Sequence, residues 1–192
     1  MEKIVLIGGG GHCKSCIDVI EQEKKFEIKG ILDVAEKVGT KILGYEIIGT
    51  DDDIEKFVNE GCCFLITVGQ IKSANLRIKL FEKVKNAGGK VATVVSPRAY
   101  VSKHASVDEG TIVMHDALIN ADAKIGKNCI INTKSLIEHE CIIKDNCHIA
   151  VGAVIAGEAE IGEETFVGAN STIVQCVKIP SKSFIKAGSL VK

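Results

Sequence analysis

The chain has 192 residues, 24 Lys plus Arg against 25 Asp plus Glu, 46% hydrophobic residues and only 4% aromatic ones. That length allows one large domain or two small ones, with enough apolar content to bury a core. Near-neutral charge, few aromatics and no basic run exclude nucleic acid and an anionic membrane surface as main partners. No apolar run reaches transmembrane length, and the N-terminal run at 3–8 is too short and too early for a signal peptide.

The elements of the first half alternate. Residues 3–8 read as a buried parallel strand that ends in glycine. Gly8-Gly9-Gly10-Gly11-His12 follows, then a helix to about Glu23. Residues 26–33 form a second strand, and the polar stretch 34–44 reads as loop. Residues 45–49 form a short strand. Asp51-Asp52-Asp53 would cap a short helix to about Asn59, where carboxylates meet orphan amides and the helix dipole. Residues 62–68 are another buried strand ending in Gly69-Gln70. Ser73 can cap a helix to about Ala87, with Leu76, Leu80, Phe81 and Val84 on one side. Residues 91–95 make the last strand, broken by Ser96-Pro97. Strands and helices alternating at this length predict a small Rossmann-like parallel sheet with helices on both faces, over residues 1–97.

Gly8 and Gly10 fit the first two positions of a dinucleotide fingerprint, but Cys13 stands where the third glycine belongs. The NAD signature is therefore incomplete. A glycine turn between strand and helix still points amides at a phosphate, and Asp33 ends the second strand where an acid accepts from a ribose hydroxyl. Cys13-Lys14-Ser15-Cys16 has redox spacing at a helix N-terminus. It lacks the aromatic and proline context of a thioredoxin site, and no second pair follows at zinc-finger spacing. It reads as two helix residues facing their neighbours.

The second half, 98–192, carries a period of six. Branched aliphatics recur without a gap at Val101, Val107, Val113, Ile119 and onward through Ile125, Ile131, Ile137 and Ile143 to Ile185 and Val191. Four residues after each comes a small or short side chain, as at Ala117, Ala123, Cys129, Ser135, Cys141 and Cys147. Neither a helix nor a flat strand sustains a period of six, whereas a solenoid with three short strands per turn does. The fold expected is an all-β left-handed parallel β-helix of about five coils of roughly 18 residues. Positive φ is expected near corners such as Gly126-Lys127-Asn128. An ordinary β-sandwich with chance periodicity is the competing architecture. Three of the eight cysteines fall on the small inward position, and a buried free Cys is ordinary, so the chain reads as reduced and cytoplasmic.

One stretch of the β-helix stands apart, Asn132 to Glu140. His139 lies two residues past an inward aliphatic, so it projects outward. Glu140 beside it can hold the imidazole and raise its basicity, which suits a general base near neutral pH. His148 is a second candidate, about half a coil later. His104 and His115 look less coupled.

The N-terminal G-x-x-G-H and the hexads containing I-N-T-x-S-x-I-E-H-E-C and H-x-x-V-G-A resemble the NeuD/PglD family of bacterial sugar O- and N-acetyltransferases. The resemblance covers nearly the whole chain. It implies a homotrimer with acetyl-CoA as co-substrate in the groove between adjacent β-helices, active sites at subunit interfaces, and no metal. It implies that His139 is the catalytic base and Glu140 its orienting partner, and that Asn132 contacts the reacting amino sugar. It implies that His148, Gly157, Ala169, Ala187 and Gly188 line the acetyl-CoA site. Gly10, Gly11, His12, Asp33 and Gly69 would form the sugar-nucleotide pocket. Family members often carry serine where Gly10 stands, and many carry a C-terminal tail covering CoA where this sequence stops at Lys192. The acceptor expected is an amino group on a UDP- or GDP-linked 4-amino-dideoxy sugar, with O-acetylation of a sialic- or legionaminic-type acid as the alternative. Two other classes compete. One is a zinc carbonic anhydrase-like β-helix, for which His139 and His148 supply only two ligands. The other is a non-catalytic module that binds a sugar nucleotide.

Overall fold

The computed structural model describes residues 1–192 and divides into two compact units. The first comprises 1–69 and 75–94. The second comprises 95–192 together with the short segment 70–74.

In the first unit, β1 (Glu2–Ile7), β2 (Phe26–Leu32), β4 (Tyr45–Gly49), β5 (Cys63–Ile66) and β6 (Lys90–Val91) form one parallel sheet. A short β3 (Lys41–Ile42) adds antiparallel to β4, giving the order β3-β4-β2-β1-β5-β6. The helices are α1 (Gly11–Glu23), α2 (Ile54–Asn59) and α3 (Asn75–Asn86). The apolar sides of α2 and α3 and the central strands share a core that includes Val5, Ile7, Leu32, Phe57, Phe64 and Leu80. Burial of this kind stabilises by roughly 25 cal/mol per Å² of apolar surface.

Four sequence expectations need correction here. The stretch 34–44 is not all loop, because it holds a 3₁₀ turn at Ala35–Lys37 as well as β3. Asp51–Asp53 form a 3₁₀ turn that Thr50 caps, and Asp53, the N-cap of α2, makes no side-chain cap bond to that helix. The Thr50 hydroxyl accepts from the Asp52 amide, and Asp53 accepts from the Thr50 amide at 2.8 Å. On α3, Leu80, Phe81 and Val84 pack on the core as expected, but Leu76 does not. Leu76 is 54% exposed, while Arg77 is 1% exposed. The guanidinium is drawn in because its Nη1 donates to the carbonyls of Ile66 and Val68, at the end of β5. The strand expected over 91–95 splits into β6 and Val94–Val95.

The second unit is a parallel β-helix of two-residue strands, which extend from Val94–Val95 to Leu190–Val191 and stack into three sheets. Each strand pairs with the strand one coil on, so Ile112 meets Ile130, Ile130 meets His148, and His148 meets Phe166. The inward aliphatics from Val113 to Ile179 are buried, and Val101, Val107, Ile185 and Val191 pack partly buried at the two ends. The short inward residues close the corners. Thr111 donates to the Gly126 carbonyl, Ser171 to Gly168, Cys129 to Lys144 and Cys147 to Gly162, so their polar atoms are satisfied inside the prism.

Positive φ recurs every six residues, but on the residue three past each aliphatic and mostly without glycine. Asp116, Asp122, Asn128, Lys134, Glu140 and Asn146 all have φ between 52° and 59°. A left-handed non-glycine residue costs about 1–2 kcal/mol. The compensation is visible in the stacking of the turns. Asn128 donates to the Glu109 carbonyl, Lys134 to His115, Glu140 to Ala121 and Glu158 to His139, each at 3.0 Å. No helix is long and apolar enough to cross a membrane.

Candidate active site

The glycine turn of the first unit uses its four glycines in two ways. A Cβ on Gly8 would strike Val68, and one on Gly9 would strike Ile42 and Asp33, so both are required by packing. A Cβ added at Gly10 or Gly11 would meet nothing within 4 Å. Gly10 is the N-cap of α1 and supplies no side-chain cap, leaving the first amides of that helix open to an anion. Gly69 adjoins His12, with an added Cβ falling 3.8 Å from the histidine Cβ.

Asp33 closes the other side of the turn. It accepts from the Gly9 amide at 2.8 Å, the Val34 amide at 2.7 Å and Lys37 at 3.0 Å. Burial alone would raise its pKa, but these bonds outweigh it and hold the carboxyl below its ordinary value. Asp33 and Gly8 line a pocket of about 460 Å³ with Glu36, Thr50 and the apolar Leu76 and Leu80. Gly10, Gly11, His12 and Gly69 do not line it.

In the second unit, the turns at 139–140 and 157–158 occupy one corner of the prism. His139 is exposed there, and its Nδ1 lies 3.0 Å from Glu140 Oε2. The carboxylate selects the Nδ1–H tautomer and leaves the lone pair on Nε2. The αL conformation of Glu140 turns the chain back beside the ring. The ring lies across Gly157, one coil on, so closely that a Cβ on Gly157 would sit 2.8 Å from both Cε1 and Nε2. Gly157 is therefore a floor for the imidazole and not a member of the groove described next. Glu138 accepts from the Asn120 amide group at 2.9 Å and from the His139 amide at 3.2 Å.

His148, Ala169 and Ala187 do come together. They line an apolar groove of about 440 Å³ with Phe166, Phe184 and Lys186. His148 meets Phe166 edge to face at 5.2 Å, and Phe166 stacks on Phe184 at 5.1 Å. Gly188 is joined to the same corner through its amide, which donates to the Ala169 carbonyl at 2.9 Å. Asn132 reaches His148, with Nδ2 3.0 Å from Nε2. Both His148 nitrogens are thus taken by protein, since Nδ1 lies 2.5 Å from the Gln70 carbonyl. No group of three His, Cys, Asp or Glu side chains is arranged to hold a metal ion.

Two family models match the chain: the PglD N-terminal domain over residues 3–84 and the bacterial transferase hexapeptide over residues 122–157. Among solved structures, PerB from Caulobacter crescentus in complex with CoA and GDP-perosamine is 29% identical. That match covers 100% of this chain and 89% of PerB, with a TM-score of 0.92. The acetyltransferase domain of PglB from Neisseria gonorrhoeae is 26% identical, covering 100% of this chain and 92% of that one, also with a TM-score of 0.92. Among curated proteins, no sequence matches.

The chain thus joins a PglD N-terminal domain to bacterial transferase hexapeptide repeats, and its fold matches those of solved sugar-nucleotide acetyltransferases. Several residues of its candidate site lie outside the sequence motifs. Gln70 and Ile71 belong to a strand-to-helix connection, and nothing in their spacing marks them. Phe166, Phe184 and His148 had a readable signal, because they are 18 residues apart and so stack in successive coils. His115, which looked uncoupled, lies 2.6 Å from the buried Ser96 Oγ.

Proposed function

We propose that the protein transfers an acetyl group from acetyl-CoA to the amino group of a nucleotide-linked sugar, with His139 as general base. The observation that carries this reading is the exposed imidazole held at Nδ1 by Glu140 and laid across Gly157. That arrangement leaves the Nε2 lone pair free to accept a proton. Nε2 removes the amine proton as the nitrogen attacks the thioester carbonyl, and CoA leaves as the thiol. The relatives support the substrate class, since PerB was solved with CoA and GDP-perosamine.

The acyl-CoA fits the groove of His148, Phe166 and Phe184, whose apolar walls suit the pantetheine arm and whose Lys186 suits a phosphate. Gly10 and Gly11 at the open end of α1 suit the sugar-nucleotide diphosphate, with His12 and Gly69 beside it and Asp33 accepting from the ribose. Asn132 has one amide hydrogen left for the acceptor sugar.

The active unit in this reading is a homotrimer in the cytoplasm. His139 and Gly157 share one corner of the coil, whereas Ala169 and Ala187 share another. A second copy is what brings a catalytic corner against a groove. Tyr100, Val151, Phe184 and Leu190 are large exposed apolar side chains of the β-helix that such packing would cover.

The test is release of CoA thiol from acetyl-CoA with GDP- and UDP-linked 4-amino sugars as acceptors. His139→Ala is expected to lose about 10² to 10⁴ in turnover while keeping the oligomeric state. Wild-type turnover in that variant would overturn the assignment.

A further inference from the structure

We propose that Gln70 is a positioning residue for the groove that takes acyl-CoA. It holds His148 as a fixed, neutral tautomer, so that His148 shapes the groove and transfers no proton. This rests on the acetyltransferase reading only for the identity of the groove's occupant.

The protonation state follows from three hydrogen bonds. A carbonyl oxygen accepts and never donates, so the Gln70 carbonyl, 2.5 Å from Nδ1, places a hydrogen on Nδ1. The orientation of the Asn132 amide is fixed independently, because its Oδ1 accepts from the Thr133 amide at 2.8 Å. Its Nδ2 is then the atom facing His148 Nε2 at 3.0 Å. That NH₂ donates, so Nε2 accepts through its lone pair and bears no hydrogen. His148 is 8% exposed, and edge contact with Phe166 fixes the plane of its ring.

The Gln70 side chain keeps its carbonyl in place. Nε2 of the amide donates to the Asn146 carbonyl at 2.9 Å, and the residue is 2% exposed. The other end of the amide, Oε1, is buried without a partner. Burying an unsatisfied acceptor disfavours folding, so stability does not account for glutamine at this position. Glutamine there does account for a carbonyl held against the imidazole. The neighbouring Ile71, 62% exposed, lines the same groove, so one short segment both sets the histidine and walls the groove.

The two histidines therefore divide the work. His139 is exposed and bonded through one nitrogen, and it moves protons. His148 is bonded through both nitrogens, and it presents an apolar ring edge to the groove.

The direct test is nitrogen NMR of the full-length protein labelled in histidine, with no CoA or sugar present. The expected spectrum for His148 has a protonated Nδ1 and a bare Nε2. In Gln70→Ala, and in Gln70→Glu, whose carboxylate cannot donate to Asn146, the two nitrogens should shift toward a mixture of tautomers. Calorimetry with CoA alone should show weaker binding in both variants by about tenfold, the worth of one hydrogen bond. A wild-type Nε2 bearing hydrogen, or a His148 spectrum unchanged in both variants, would overturn the proposal. Absence of CoA binding by the wild type would count against the acetyltransferase reading, and the NMR result would still decide the role of Gln70.

Discussion

Replacing Gly157 by alanine adds a single methyl group beneath the His139 ring. The new Cβ would sit 2.8 Å from Cε1 and Nε2. Carbon atoms rest at about 3.5–4.0 Å, so the ring must retreat by about 1 Å. A displacement of that size at a reacting group costs about 10²-fold, which is about 2.7 kcal/mol of transition-state stabilisation. The backbone itself accepts the change, because Gly157 is not among the residues with positive φ. Thermal stability should therefore hold or rise slightly, as glycine-to-alanine changes at compatible sites do. The assay is kcat/KM by thiol release, paired with a melting curve. A double-mutant cycle isolates the cause. In a His139→Ala background the ring is absent, so Gly157→Ala should cost little more. Full activity in Gly157→Ala would refute the reasoning. So would a second hundredfold loss on top of His139→Ala.

Two further outcomes follow from burial and charge. All eight cysteines are free and only Cys176 is exposed, while burial pushes Cys13 up to about 11 and Cys63 up to about 12. A disulfide-exchange reagent at pH 8 should find at most one fast thiol in the native protein and eight in denaturant, so two or more fast thiols would contradict the packing. Asp33 has a folded-state pKa below its ordinary value, so its contribution to stability is present above about pH 4 and is lost as pH falls through the lower folded value. Asp33→Asn should therefore melt below the wild type at pH 7, and the gap should narrow on acidification below about pH 4. A gap that stayed constant to pH 3 would count against the bonds to Gly9, Val34 and Lys37.

The β-helix is legible because its signal is redundant. Every coil repeats the inward Ile or Val, so no single residue has to be read correctly. His139 was legible for the same reason, since its distance from Ile137 fixes which way it points. Residues that act through a lone contact leave no such trace. Arg77 looks like a surface position on α3 until the Ile66 and Val68 carbonyls are seen to need a donor. Gln70 looks like a polar loop residue until its carbonyl meets the His148 ring. Gly157 repeats nothing and has no special φ. Its reason for lacking a side chain is a ring one coil away, at a distance that only the coil pitch sets. Thr50 was hidden by three aspartates that fit the helix dipole better than they fit the cap.

The stacked turns carry a consequence of another kind. Removing six residues from the coils would leave every downstream aliphatic still pointing inward, because the core repeats each six. The corners, however, repeat each eighteen. Such a deletion would rotate everything downstream by a third of a turn relative to His139. The groove would then open on the wrong edge of an otherwise sound prism. Hydrophobic burial thus protects the existence of this domain but is blind to the alignment of its working parts. That alignment is kept by counting alone, and length is the property of the coils least free to drift.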